Sequence, residues 1–252
     1  MNARPEQASR QDDVVQDDVV LLHGMGRSAL SMKRIEWALV NRGYRVTNIS
    51  YPSTRFGVER IVTTHLLPEL HRIQRSSPAR IHFVTHSLGG ILLRHCISLQ
   101  ALTTPGRAVM LGPPNGGSEI ADTFKKWFCY RLLVGPAGQQ LGTGTWDLPR
   151  TLGPAPQGFE VGIIAGDRSL NPIFSRLLPG PNDGKVTVAG TRLEGMTDFL
   201  VVHHSHTWLP WSKAVICQVL AFLETGRFAG DVGLASRLPT ERDSTSQESC
   251  RP

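Results

Sequence analysis

Short apolar runs alternate with amphipathic stretches along most of the chain. The apolar runs predict strands at 18–22, 44–50, 80–85, 108–111, 161–165 and 199–203. Between them, apolar residues at helical spacing predict helices from 28 or 31 to 40 and over 58–75, 88–101, 119–128 and 213–223. Nearly continuous apolar strands are typical of a parallel sheet that is buried on both faces. The alternation therefore predicts an α/β fold, a mostly parallel sheet with helices on both faces.

Three stretches depart from this alternation. Residues 131–160 are rich in Gly and Pro and have no steady period. Because such long connections are often functional, two interpretations stay open, a surface excursion and a lid or cap-like insertion over a substrate site. The polar ends predict a flexible leader over 1–16 and a disordered tail over 230–252. One domain over 17–229 remains.

A serine stands where a predicted strand turns directly into a helix. The stretch 81–93 reads Ile-His-Phe-Val-Thr-His-Ser-Leu-Gly-Gly-Ile-Leu-Leu. A serine at this place lies at the carboxyl edge of the sheet, next to the free N–H groups of a helix N-terminus. Such a turn strains the serine backbone and requires small residues two positions before and after it. Gly89 meets this requirement fully and Thr85 only in part.

Two motifs together indicate a family. The stretch 20–26, Val-Leu-Leu-His-Gly-Met-Gly, and the stretch 85–90, Thr-His-Ser-Leu-Gly-Gly, resemble the α/β-hydrolase superfamily, in particular bacterial lipase-like and esterase-like serine hydrolases. The resemblance covers about 19–228 and implies an α/β-hydrolase fold. Thr85 departs from the usual G-x-S-x-G pattern.

A serine hydroxyl needs a base to accept its proton and an acid to orient that base. In this family the order along the chain is serine, acid, histidine. His206 follows the last predicted strand and is the expected base for Ser87, with His204 as the alternative. Asp183 lies in an Asn-Asp-Gly-Lys-Val segment that resembles the acid loop of bacterial lipases. The alternative acid is Asp167, which directly follows a predicted strand.

The expected reaction is hydrolysis of a carboxylic ester through an acyl-enzyme on Ser87. Stabilising the oxyanion needs two backbone donors, each of them contributing about 3–4 kcal/mol in measured cases. One is the N–H of Leu88, and the resemblance implies Met25 for the other. We expect no metal and no cofactor.

Other functions fit the same residues. A thioesterase, an acyltransferase or a lipid-anchor deacylase would use the same triad, and a non-catalytic binding protein could retain the fold. Apolar residues of the insertion favour a lipid-like acyl group, although core packing also accounts for them. They are Leu132, Leu133, Val134, Leu141, Trp146 and Leu148.

The composition bears on partners and location. The 252 residues carry a net charge of +6, which favours anionic surfaces weakly and is compatible with a weak peripheral membrane contact. The basic residues are scattered, so we expect no nucleic-acid partner; the oligomeric state stays open. A transmembrane run and an apolar signal region are both lacking, so we expect a cytoplasmic protein. Four widely spaced cysteines predict free thiols rather than a disulfide scaffold.

Overall fold

The computed structural model describes residues 16–170 and 172–230. Its described residues form one six-stranded sheet in the order β2-β1-β3-β4-β5-β6, with every neighbouring pair parallel. The strands are β1 (Asp18–Leu22), β2 (Arg45–Ile49), β3 (Ile81–His86), β4 (Pro105–Leu111), β5 (Glu160–Gly166) and β6 (Asp198–Val202). The predicted parallel sheet is therefore confirmed.

Helices connect the strands. They are α1 (Lys33–Val40), α2 (Val58–Ile61), α3 (Leu67–Ser76), α4 (Leu88–Ser98), α5 (Glu119–Phe124), α6 (Phe128–Gln139), α7 (Leu148–Thr151), α8 (Pro172–Leu177), α9 (Val188–Thr191) and α10 (Lys213–Thr225). Short 3-10 turns precede α1 (Ala29–Met32) and α10 (His206–Trp211), and a π-helical turn (Val62–Leu66) joins α2 to α3. Pro68 lies in the first turn of α3, directly after this π turn, so the helix predicted over 58–75 is divided there.

The sheet separates two hydrophobic cores. Val20 and Leu22 of β1 pack on one face with residues of α2, α3 and α4. Val19 and Leu21 pack on the other face with residues of α1 and α10. Because successive strand side chains point to opposite faces, a fully apolar β1 serves both cores.

The insertion 131–160 is partly built into the protein. Val134, Ala137, Leu141 and Phe159 are buried. The buried guanidinium of Arg94 on α4 fastens the segment, since its Nη2 donates to the carbonyl oxygens of residues 149 and 153 at 2.9 and 2.6 Å. The segment is thus anchored to the rest of the domain at these residues, and both interpretations, a surface excursion and a lid or cap-like insertion, stay predictions.

Gly135 sets the path of α6. Its φ of 64° and ψ of −170° interrupt the helix, and a Cβ there would overlap the carbonyl oxygen of Thr54. The half of α6 after this kink is therefore in backbone contact with the loop after β2.

Replacing Gly135 with alanine is expected to lower the free energy of unfolding by about 2–4 kcal/mol, because strain and a backbone clash add. Gly158 is the control, since its φ is 80° and a Cβ there meets nothing within 4 Å. Urea unfolding of G135A and G158A measures both costs. Equal destabilisation would contradict the proposed clash with Thr54.

The structure tests some of the predictions about the cysteines and the chain ends. Cys96 and Cys129 are free, whereas Cys217 is disulfide-bonded, so the prediction of free thiols is wrong for Cys217. Spacing along a chain does not limit which thiols meet in space. The predicted leader and tail lie outside the described residues, apart from residues 16 and 230. Within 16–170 and 172–230, no helix is long and apolar enough to cross a membrane.

Candidate active site

Ser87 occupies a strained turn between β3 and α4. Its φ of 53° and ψ of −119° are rare for a residue with a side chain. The N–H of Ser87 donates to the Leu111 carbonyl oxygen at 2.9 Å, which fixes the turn to β4. A Cβ on Gly89 would lie 2.5 Å from the Leu22 carbonyl oxygen, so α4 approaches β1 this closely only with glycine. Strain of this kind is typical of functional positions.

Asp183 and His206 form a buried pair. Asp183 Oδ2 lies 2.7 Å from His206 Nδ1, and the two residues are 2% and 3% exposed. The other carboxylate oxygen accepts the backbone N–H groups of Lys185 and Val186 at 3.0 and 2.9 Å. An ionised carboxylate accepts only, so Nδ1 donates to it and Nε2 is the ring nitrogen left for another partner.

Backbone contacts place this pair. The N–H of His206 donates to the carbonyl oxygen of Asp183 at 3.0 Å, so the loop after β6 is fixed to the acid loop. Gly112 lies beside both side chains, and a Cβ there would approach Asp183 Oδ2 and His206 Nδ1 to 3.1 Å each. Its φ of 54° also favours glycine. The end of β4 thus leaves space for the pair.

His86, which precedes Ser87, links the serine turn to the histidine loop. Its Nε2 donates to the carbonyl oxygen of His206 at 3.0 Å, and the two rings lie 4.8 Å apart. Burial, followed by the nearby charge of His206, holds the pKa of His86 well below its usual value. A neutral His86 therefore fixes the backbone of His206 without adding a charge.

The Ser87 hydroxyl forms no hydrogen bond with any described residue. Catalytic hydrogen bonds are often long before substrate binds and shorten in the complex.

The loop after β1 closes over the serine. A Cβ on Gly24 would lie 2.8 Å from His86 Nδ1 and 3.3 Å from Ser87 Cβ, so only glycine allows this approach. The carbonyl oxygen of Gly24 accepts from His23 Nδ1 at 2.9 Å and from the N–H of Arg27 at 3.2 Å. Since the C=O and N–H of a trans peptide point in opposite directions, the N–H of Met25 points away from His23.

His23 itself is fully buried. Its ring stacks on Tyr51 at 4.0 Å, and its Nε2 accepts the Tyr51 N–H at 3.3 Å. Burial lowers its pKa, against a smaller opposing effect of the bond to Gly24. The histidine of the His-Gly motif is thus a neutral support of the loop.

The alternative acid and base lie in other contacts. Asp167 accepts from the exposed His203, with Oδ1 and Nδ1 2.9 Å apart. His204 Nε2 lies 2.8 Å from the Ser212 hydroxyl oxygen at the start of α10. The structure brings neither of them to the Asp183–His206 pair.

Sequence reasoning missed the supporting roles of His23, His86 and Gly112. His23 and His86 stand inside the quoted motifs, but a motif does not show which way a ring points. Gly112 opens a Gly-Pro-Pro-Asn-Gly-Gly stretch whose link to the acid loop needs three-dimensional contacts. No group of three or more His, Cys, Asp or Glu residues in the described part of the chain could hold a metal ion.

Comparison with known proteins agrees with this fold. The model of the alpha/beta hydrolase family matches residues 19–232. The chain therefore belongs to the alpha/beta hydrolase family, as the two sequence motifs indicated. A comparison with curated protein sequences gives no match.

Solved structures of lipases and esterases share the fold. The mature lipase BlEst2 of Bacillus licheniformis is 20% identical, with a TM-score of 0.63 over 85% of this chain and 93% of that chain. A metagenomic carboxyl esterase, MGS0156, is 18% identical, with a TM-score of 0.58 over 78% and 66%. The phospholipase PlaB of Legionella pneumophila is 17% identical, with a TM-score of 0.59 over 76% and 53%. This chain thus spans about half of PlaB.

Proposed function

We propose that the protein is a serine hydrolase that cleaves carboxylic esters through an acyl-enzyme on Ser87. The observation that supports this best is the buried Asp183–His206 pair, whose 2.7 Å contact leaves Nε2 as the available base beside the strained Ser87 turn. The lipase and esterase folds named above support the same reaction class.

The proposed mechanism has two halves. His206 Nε2 takes the proton of Ser87 Oγ while Oγ attacks the ester carbonyl carbon, and the imidazolium returns the proton to the leaving alcohol. A water molecule then loses a proton to His206 and attacks the acyl carbon. The bond from that carbon to Ser87 Oγ breaks, the imidazolium returns the proton to Oγ, and the acid is released. Asp183 stays ionised and stabilises the imidazolium in both halves.

The negative oxygen that develops in each half needs donors. The N–H of Leu88, the first residue of α4, has no partner inside its helix. The N–H of Met25 points away from the His23 support, and Gly24, the residue before it, lies against Ser87. We assign the oxyanion hole to these two amides.

The test is hydrolysis of 4-nitrophenyl esters from acetate to palmitate by wild type and Ser87→Ala. Activity that requires Ser87 supports the proposal, and its maximum along the series gives the preferred acyl length. Absence of ester hydrolysis together with cleavage of acyl thioesters would move the assignment to a thioesterase or acyltransferase. Absence of both would favour a binding protein.

The exposed half of α6 supports contact with a lipid surface. Phe128, Leu132 and Leu133 are 77%, 74% and 75% exposed, and the cationic Lys126 and Arg131 lie beside them in the chain. Apolar side chains together with lysine and arginine favour the interface of an anionic membrane. We propose that this half of α6 makes the weak membrane contact.

Replacing Phe128, Leu132 and Leu133 together with serine is expected to lower partitioning onto phosphatidylglycerol vesicles at least about tenfold, because insertion of apolar surface is lost. Co-sedimentation measures the bound fraction. Leu99→Ser is the control, since Leu99 is exposed at the end of α4. Unchanged partitioning of the triple variant would refute the contact.

A further inference from the structure

Two cationic residues lie on the loops around the Asp183–His206 pair. Arg27 belongs to the loop after β1, and its Nη2 lies 3.4 Å from the hydroxyl oxygen of Thr207, the residue after His206. Lys185 follows Asp183 by two residues, and its backbone N–H donates to the Asp183 carboxylate. The two residues therefore stand next to the pair on two separate loops, Arg27 by a side-chain contact and Lys185 by its backbone.

Neither cation is neutralised by an acid. Both residues are exposed, and neither forms an ion pair with a carboxylate in 16–170 or 172–230. Both charges act on the buried centre, since Lys185 and Arg27 add to the lowering of the pKa of His86 after burial and His206.

The pKa of Lys185 reflects the surroundings of its side chain. The surrounding protein removes enough water from its side chain to lower its pKa, with Arg27 as the second cause. The charge of Asp183 acts in the opposite direction. The hydrogen bond to His206 leaves the negative charge of Asp183 in place. That charge offsets one of the two positive charges, so an excess of one positive charge remains.

We propose that Arg27 and Lys185 form a cationic rim that selects esters with a negative charge near the scissile bond. The inference rests on the proposed ester hydrolysis and names its substrate class. The charge can be a carboxylate at the far end of the acyl chain or a phosphate in the leaving group. A guanidinium donates to either anion with its planar fork, and an ammonium adds a point charge.

The available donors fit this assignment. Arg27 has five N–H donors on its side chain, and Thr207 is their one hydrogen-bonded acceptor among the described residues. A single contact at 3.4 Å is weak, so most of the guanidinium is free for a ligand. An exposed cation of this kind changes the binding of an anion about two- to fivefold, and salt screens the effect.

The kinetic test compares kcat/KM for matched neutral and anionic esters at low and high salt. One pair is 4-nitrophenyl methyl adipate and 4-nitrophenyl hydrogen adipate, which places the charge in the acyl chain. The other is a 1-acylglycerol and its 3-phosphate, which places the charge in the leaving group. We expect wild type to prefer the anionic member of one pair at low salt and to lose that preference at high salt.

Substitutions locate the effect. Arg27→Gln and Lys185→Gln are each expected to lower the anionic-to-neutral ratio about threefold, and together about tenfold. Arg27→Lys should keep most of the ratio because the charge stays. Arg72→Gln is the matched control on α3, where Arg72 pairs with Glu69, and should not change the ratio. Equal ratios in wild type and the double variant would overturn the rim.

A binding measurement separates this proposal from the ester hydrolysis. Titration calorimetry of hexyl phosphate and hexanol uses Ser87→Ala protein, with and without the two rim substitutions. We expect the double substitution to raise the Kd of hexyl phosphate about tenfold more than that of hexanol. If the phosphate effect is found but wild type hydrolyses no ester, the proposed reaction is refuted and the rim is kept. If wild type hydrolyses esters but the substitutions change the two Kd values equally, the rim is refuted and the reaction is kept.

Discussion

Ser87→Ala is expected to lower kcat about 10⁶-fold, with the fold retained. The estimate follows other serine hydrolases, in which the nucleophile and its base act as one unit. Alanine removes Oγ, the atom that would form the bond to the acyl carbon, and leaves the amides of Met25 and Leu88 in place. A residual acceleration of about 10³-fold over water is expected from those donors.

The measurement is steady-state hydrolysis of the best 4-nitrophenyl ester, together with labelling by a fluorophosphonate. Wild type should gain the mass of one phosphonyl group on the peptide that contains Ser87, and the variant should gain none. The thermal transition of the variant monitors folding. Full activity in folded Ser87→Ala protein would remove Ser87 as the nucleophile.

Asp183→Asn is expected to lower kcat about 10⁴-fold. The side-chain oxygen of the asparagine can still accept hydrogen bonds from the N–H groups of Lys185 and Val186. The amide nitrogen of the asparagine would then face His206 Nδ1. That nitrogen donates, so Nδ1 must then accept and Nε2 must carry the proton. A protonated Nε2 cannot take the proton of Ser87.

Asp167→Asn is the matched control for Asp183→Asn. Asp167 lies on His203 at the surface, so this change should leave kcat within about twofold of wild type. The kcat of both variants, with circular dichroism to monitor folding, decides between the two acids. Loss of activity in Asp167→Asn with full activity in Asp183→Asn would transfer the role to Asp167.

The sheet was predictable because inner strands such as β1 and β3 are buried on both faces. A strand such as β1 must be apolar at every position to serve two cores, and that pattern is readable without a structure. The helices next to the strands were predictable from the helical spacing of their apolar residues. Residues that cap helices add to this signal, such as Ser118 before α5, whose hydroxyl accepts the Ala121 N–H at 3.4 Å.

The missed parts have local physical reasons. The sequence did not predict α6, because a Gly-Pro pair such as Gly135-Pro136 normally ends a helix. In the structure the helix continues past a kink at Gly135, which packs against Thr54. At four residues, α9 is too short for a period to be visible. The sequence favoured Asp183 over Asp167 through its likeness to the acid loop of bacterial lipases, and the contact of Asp183 with His206 supports that preference.

The expected location stays a prediction. The expectation of a cytoplasmic protein rested on the lack of an apolar transmembrane run and of an apolar signal region in the sequence. Cys217 is disulfide-bonded, and disulfides persist mainly in oxidising compartments. Cell fractionation with thiol alkylation before lysis would decide the matter.

The two halves of α6 are under different constraints. The half after Gly135 contacts the loop beside Ser53 and Met25, so its residues must fit both the core and the proposed oxyanion loop. In the half that begins at Phe128, Val134 is buried, whereas Phe128, Leu132 and Leu133 face outward and contribute little to either. Mutations at these three positions can accumulate without loss of folding, so natural selection can change the surface that the protein visits independently of the chemistry it performs.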